Sequence, residues 1–312
     1  MNTKVALRQV VLVAFLEAAG GLRGEVRASA DRAGLGPQAV TPAAGDPAAP
    51  RTAPEPSPAW ALLEPGLELG EFDAPRASDV GDSRIRVLRI DPGRFELTLL
   101  SASAVEGGAP LTAAEWCRRN GLVAAINASM YRADHRTSVG LMRTRTHVNN
   151  ARQREGDKAV LAFDPLLPGI SDVQLLDLEC DDFETLRRHY GTLIQNIRML
   201  SCRGRNVWSP QPKRWSTAAI GVDGRGRVLF IHVRSPYATH DLVDALRGLP
   251  IDLHRAMYVE GGPEAQLYVR AGEEVHEFVG SFETGFREDD SNARAWPVPN
   301  VVGVRRRSEE GR

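Results

Sequence analysis

The sequence predicts an α+β fold in a single domain, on three observations. Apolar and alternating runs of strand length sit in pairs around turn signals. Capped amphipathic segments of helical period fall between them. The composition, 42% hydrophobic and 25% charged over 312 residues, is that of a folded chain, and a domain of about 250 residues buries on the order of 70–75% of its unfolded surface without a metal or disulfide framework.

The chain opens on Lys4 and Arg8, then the apolar run Val10 to Leu16 and the small residues Ala28-Ser29-Ala30, the outline of a secretory signal over residues 1–30. The run is far short of the roughly 20 residues a bilayer span needs, so no stable membrane span is expected. Residues 31–65 hold eight of the 20 prolines, mixed with Ala and Thr. Proline removes backbone donors and favours extended geometry, so this stretch reads as a disordered linker. The domain is expected over residues 66–308, in an exported protein, periplasmic or extracellular.

Ser83 to Ile90 alternates polar and apolar residues, and Phe95 to Leu100 follows the turn Asp91-Pro92-Gly93-Arg94, the pattern of a hairpin with one buried face. Thr112, with Glu115 three residues on, opens a helix by a capping box, and Asn120-Gly121 closes it. Leu122 to Ile126 is a continuous apolar run, a strand covered on both faces. Lys158 to Phe163 and Val173 to Leu178 read as strands, and Asp181 to Glu184 caps a short helix. Leu193 to Leu200 is apolar but carries Gln195, Asn196 and Arg198. Thr217 to Val222 and Val228 to Val233 flank Asp223-Gly224-Arg225-Gly226, a hairpin signal. Thr239 then caps a helix that buries Leu242, Val243 and Leu246. His240 falls in its first turn, where the positive end of the helix dipole favours the neutral, proton-accepting ring.

The stretch with most chemistry is Ala256 to Val269, two apolar runs separated by Glu260-Gly261-Gly262-Pro263-Glu264. Glycines allow positive φ and close approach, and Pro263 fixes its own φ, so the turn holds Glu260 in place at a strand end. The plain alternative is a hairpin turn with a solvated Glu. Asn127 stands at another strand exit. Between them in sequence, residues 131–158 form a long polar stretch with Arg132, Arg136, Arg143, Arg145, Arg152 and Arg154, a load that suits phosphate or carboxylate oxygens.

Several classes are excluded. A formal net charge of −1 argues against a nucleic-acid partner. No mononucleotide-binding loop, dinucleotide fingerprint, H-E-x-x-H or G-x-S-x-G occurs, and Cys117, Cys180 and Cys202 lack metal-ligand spacing. In an exported protein Cys180 and Cys202, which flank one helix-plus-strand segment, are the available disulfide pair. No cofactor and no metal are expected.

The order Ala125-Ile126-Asn127-Ala128-Ser129-Met130-Tyr131, Val139-Gly140-Leu141, Gln195, Ala218 to Asp223 and Val259-Glu260-Gly261-Gly262 resembles the phosphodiester glycosidase family over about residues 122–269. The resemblance implies a mixed, largely antiparallel sheet flanked by helices and hydrolysis of a glycosyl-1-phosphate diester. The sequence makes three departures from the family pattern: Glu260 replaces Asp, Pro263-Glu264 replaces Gly-Ser, and Thr217 replaces Arg. The extra methylene of Glu260 moves its carboxylate by about an ångström, a displacement that costs on the order of a hundredfold in rate when uncompensated. The implied site has Glu260 as general base, Asn127 orienting sugar or water, His240 as a second candidate base, and Gly261, Gly262, Arg143, Gln195, Arg198 and Arg234 binding a glycosyl phosphodiester or phosphorylated glycan. The rival readings are an exported glycan- or wall-polymer-binding protein on the same scaffold and a phosphodiesterase that cuts P–O.

Overall fold

A computed structural model describes residues 60–308. The expected secretory signal and nearly all of the Pro/Ala segment lie outside the described residues. In chain order the strands are β1 (Trp60–Glu64), β2 (Leu67–Asp73), β3 (Arg84–Ile90), β4 (Phe95–Ser101), β5 (Ala124–Asn127), β6 (Met142–Arg143), β7 (Val148–Asn150), β8 (Ala159–Pro165), β9 (Val173–Asp177), β10 (Tyr190–Leu200), β11 (Trp215–Asp223), β12 (Val228–Tyr237), β13 (Leu253–Gly261), β14 (Gln266–Ala271), β15 (Glu274–Val279) and β16 (Asn300–Arg306). Only three α-helices accompany them among the described residues: α1 (Ala113–Asn120), α2 (Phe183–Leu186) and α3 (Thr239–Gly248). β1 occupies the end of the segment read as linker. Its Trp60 is held edge-on to Phe72, ring centroids 5.4 Å apart, under the Arg89 guanidinium.

The expected α+β domain, a mixed sheet flanked by helices, is corrected to a mostly β fold. Every strand pairing is antiparallel. Eleven strands form one sheet, β1-β2-β3-β12-β11-β13-β10-β6-β7 with β8 and β9 joined through β10, and five form another, β15-β14-β5-β16-β4. One apolar cluster joins both sheets, with Leu88, Ile220, Phe230 and Met257 from the larger meeting Ile126, Leu267 and Val302 from the smaller. Each sheet thus covers the other's inner face, and the packing needs few helices. α3 covers part of the larger sheet through Leu242, Val243 and Leu246, and α1 part of the smaller through Trp116 and Cys117.

The local signals that survive are caps and turns. Thr112 and Glu115 form the reciprocal capping box, and Gly121 closes α1 at φ 62°. Thr239 is instead the first residue of α3, its hydroxyl buried without a partner. Asp223 to Gly226 joins β11 to β12 as a hairpin. The segment from Ser83 to Leu100 does not form one: β3 pairs with β2 and β12 in the larger sheet, while β4 pairs with β16 in the smaller. Its turn is a crossing between sheets. The turn at 260–264 is a second such crossing, from β13 in the larger sheet to β14 in the smaller.

Candidate active site

That second crossing is where the chain leaves a carboxylate inside the protein. β13 pairs with β11 as Tyr258↔Ala219 and Glu260↔Ala218, so Val259 is an extra residue, and the bulge re-aims the strand end that carries Glu260. Gly261 remains extended and Gly262 turns at φ 65°, a conformation open to glycine. Glu260 is 9% exposed and accepts a hydrogen bond from the Gly261 N–H at 3.0 Å. Burial, then the neighbouring Glu264 carboxylate, pushes its pKa well above the ordinary value, with Glu283 adding to the push and the Gly261 bond opposing it. No cation pairs with Glu260 among the described residues.

Two further carboxylates and two phenols complete the centre. Glu264 lies in the short 3-10 turn after Gly262. Glu283 arrives from the segment after β15, bridged to Trp215, and its carboxylate lies against Gly262, where a Cβ would stand 2.8 Å from Oε2. Tyr258 and Tyr131 are buried; burial first, then the charge of Glu260, raises both phenols. His232 supports the turn from below. Its Nε2 is 3.3 Å from the Ala265 carbonyl, and burial, with Arg86 beside it, lowers its pKa to about 3, so it stays neutral and exchanges no proton near neutrality.

Asn127 joins this centre from the other sheet. Its Nδ2 donates to the Glu264 carbonyl at 3.0 Å and its Oδ1 accepts from the Gln266 N–H at 2.8 Å. Both ends of the amide hold the turn. Glu260, Gly261, Gly262 and Asn127, nominated from separate stretches, are therefore brought together.

The other nominated residues have protein partners. Arg143 donates to the carbonyls of Gly191, Arg187 and Tyr190. Arg198 pairs with Asp177 at 2.6 Å and Glu179 at 2.8 Å, and lies opposite Met257, three residues back along β13 from Glu260, roughly 10 Å at strand rise. Gln195 uses its amide on Leu141, Arg154 and Asp157 backbone and so stitches the 139–157 loop to β10. Within the longer polar stretch 131–158, Arg136 donates to the Ala102 and Gly108 carbonyls, and Arg145 and Arg154 pair with Asp164 and Asp157. His240 contacts Asp241 at 3.1 Å on the outside of α3. Arg234 is nearer the centre: it pairs with Asp290 and donates to the carbonyls of Val279, Asp290 and Asn292, which fastens the segment that presents Glu283.

The sequence reading missed Glu283, Trp215, Tyr258 and the proximity of Glu264. Glu283 carries no local signal, since it belongs to no strand and meets the turn only through tertiary packing. A groove of about 730 Å³, lined by Arg76, Asp79, Arg214, Tyr237, Asp241 and Asp244 among others, includes none of the three glutamates. Asp177, Cys180 and Cys202 cluster closely enough to suggest a metal, but the two sulfurs are bonded to each other as a disulfide. Cys117 is free and buried, its thiol pushed up to about 12 by that burial.

No curated protein matches the chain in sequence. Among solved structures it is similar to the zebrafish N-acetylglucosamine-1-phosphodiester alpha-N-acetylglucosaminidase catalytic domain, auto-inhibited by its pro-peptide, with TM-score 0.53 and 13% identity over 78% of this chain and 85% of that one. A protein from Synechocystis is similar at TM-score 0.53 and 11% identity, over 78% of this chain and 62% of that one. At such identities the likeness is one of fold. The phosphodiester glycosidase family itself matches residues 120–305, more than half of the chain and the whole span from the end of α1 to the last strand: the protein belongs to the phosphodiester glycosidase family.

Proposed function

We propose that the protein is an exported hydrolase that cleaves the sugar C–O bond of a glycosyl phosphodiester, with Glu260 exchanging the proton. The observation that carries this reading is Glu260 itself: a carboxyl at the family's motif position, buried at a bulged strand end, with two more acidic side chains beside it and no ion pair of its own among the described residues. Such a group keeps its proton to higher pH than an exposed Glu and is suited to hand it to the bridging oxygen as the phosphate departs. Once that proton is given up, the Glu260 carboxylate takes one from the water that adds to the sugar carbon, which completes the hydrolysis and restores the acid. Glu264 and Glu283 supply the negative charge that stabilises an oxocarbenium-like centre. Arg143, Arg198 and Arg234 are each held by protein carbonyls or carboxylates, so this reading places the phosphate on none of them. The Cys180–Cys202 disulfide favours an oxidising compartment. No helix among the described residues is long and apolar enough to cross a membrane.

The test is turnover of chromogenic diesters of sugar 1-phosphates by the wild type and Glu260→Gln. The reading expects measurable turnover and a loss of about 10²–10⁴-fold in the variant. Equal rates would remove Glu260 from the reaction. The commitment of the three arginines favours one second reading, a glycan-binding protein without turnover, which saturable glycan binding and zero hydrolysis would support.

A further inference from the structure

The phosphate still lacks a holder, and one part of the basic stretch 131–158 carries cationic side chains that the fold does not use. Residues 131–138 form a tight hairpin. Tyr131 bridges Ser138, the Arg132 N–H donates to the Thr137 carbonyl at 2.8 Å, and the His135 N–H donates to the Arg132 carbonyl at 2.9 Å. Asp134 ties the tip, its carboxylate accepting from the Arg136 and Thr137 N–H groups and from the Thr137 hydroxyl. Arg136 anchors the hairpin on the Ala102 and Gly108 carbonyls, and the Ser138 N–H donates to the Asn149 side chain at 2.7 Å.

Arg132 and His135 are left over. Both are exposed, and neither side chain makes a hydrogen bond or an ion pair among the described residues. His135 stands in left-handed backbone at φ 52°, a state that few residues besides Gly, Asn, Asp and His adopt, and its ring rests on Tyr131 with centroids 5.5 Å apart. Tyr131 is the link to the acid centre. Asn127, which holds the Glu264 turn, stands four residues before it, and Met130, next to it, packs against the cluster that contains Trp215 and Tyr258. The Tyr131 phenol lies within reach of the charges of Glu260 and Glu264. Tyr131 and Glu260 are each 9% exposed, so solvent touches both, and the hairpin stands on the solvent side of the phenol.

We propose that Arg132 and His135 bind the phosphate of the glycosyl phosphodiester, at the outer rim of the site, while the sugar lies at Glu260. The assignment rests on the glycosidase reading and adds to it the residues that recognise the phosphate. A diester phosphate carries one negative charge and only accepts hydrogen bonds; a guanidinium offers it a planar fork of donors, and an imidazole offers a ring N–H in either tautomer. A phosphate deeper in the centre would meet Glu260, Glu264 and Glu283, so the pattern of charge places it outside them, on the hairpin. The bonds that fix residues 131–138 hold both donors in place before substrate arrives, which lowers the cost of ordering them.

The test uses Arg132→Gln, which removes the charge, and His135→Asn, which removes the ring and tolerates left-handed backbone. Arg152→Gln is the control, an exposed arginine of the same stretch outside the hairpin. Turnover is measured on nitrophenyl diesters of glucose, galactose, mannose and N-acetylglucosamine 1-phosphate. The proposal expects kcat/KM to fall about tenfold in Arg132→Gln and about fivefold in His135→Asn, the sizes of a charged and a neutral hydrogen bond, and to change less than about twofold in Arg152→Gln. An unchanged rate in either hairpin variant, or the same loss in Arg152→Gln, overturns it. Calorimetric titration with the four sugar 1-phosphates reads the contact without turnover: weaker binding by the hairpin variants alone supports the proposal even where the wild type hydrolyses nothing, which would sink only the hydrolase reading. Equal binding by the wild type and the hairpin variants, or no sugar phosphate bound by the wild type, overturns it.

Discussion

Two buried carboxylates in this protein have opposite company. Asp177, 2% exposed at the end of β9, is surrounded by donors: Arg198 at 2.6 Å, the Glu179 N–H at 3.0 Å and the Cys202 N–H at 2.8 Å, with the Cys180–Cys202 disulfide alongside. A second pair next to it, Asp181 with Arg255, ties the same corner to β13. Glu260, hardly more exposed, receives one backbone N–H and faces two further carboxylates. Burial alone is common to both. Pairing makes the first a fastening, since a buried ion pair is costly to break, and its absence makes the second a group whose proton can be moved, because the charged form is the disfavoured one.

Deleting each carboxylate sharpens that contrast. Glu260→Gln is expected to cost about 10²–10⁴-fold in kcat/KM while Tm holds or rises, a result read by steady-state kinetics and a thermal melt on one preparation. Asp177→Ala should do the reverse, losing roughly 3–5 kcal/mol of stability because Arg198 loses its buried partner and keeps only the exposed Glu179, while the Glu179 and Cys202 N–H groups lose their acceptor; urea titration measures it, and kcat of the folded fraction should be unchanged. A replacement of both Cys180 and Cys202 by Ser should cost about 3 kcal/mol for a loop of 22 residues, again without a change in kcat. Should that double variant lose activity while folded, the two regions are coupled and the contrast fails.

The smallest effect is on stability against pH. Folding raises the Glu260 pKa above the ordinary 4.5, so the folded state binds more protons than the unfolded one. The contribution is fully present below the unfolded value and is lost as pH rises through the folded value. Glu260→Gln lacks this loss, so wild type minus variant stability should fall as pH rises above about 4.5 and stay flat below it. Chemical denaturation at a series of pH values decides the sign.

Some of this was legible in the residues. The Thr112–Glu115 capping box, the Asp223-Gly224-Arg225-Gly226 hairpin and the crossing at Glu260 each rest on a local rule that tertiary packing had no reason to override. Sheet membership was not legible. Alternation at residues 83–100 states which side chains are buried, and both a hairpin and a crossing between two sheets satisfy it. Counting helices misled for the same reason, because a sheet face covered by another sheet shows the same apolar residues as one covered by a helix. The arginines show where composition stops: their number suggested an anion site, but Arg143, Arg198 and Arg234 were needed for carbonyls and carboxylates that only the folded chain brings near. Trp215 and Glu283, distant in sequence from Glu260, carried no periodic or motif signal at all.

The central claim is that Glu260 holds a proton where exposed carboxylates have lost theirs. Infrared difference spectroscopy between wild type and Glu260→Gln over a series of pH values reads it directly, through the carbonyl stretch of a protonated carboxyl. A protonated-carboxyl band in the wild type that is missing from the variant, and that persists above the ordinary carboxylate range before it bleaches, is the predicted result; a band that bleaches within the ordinary range would contradict it.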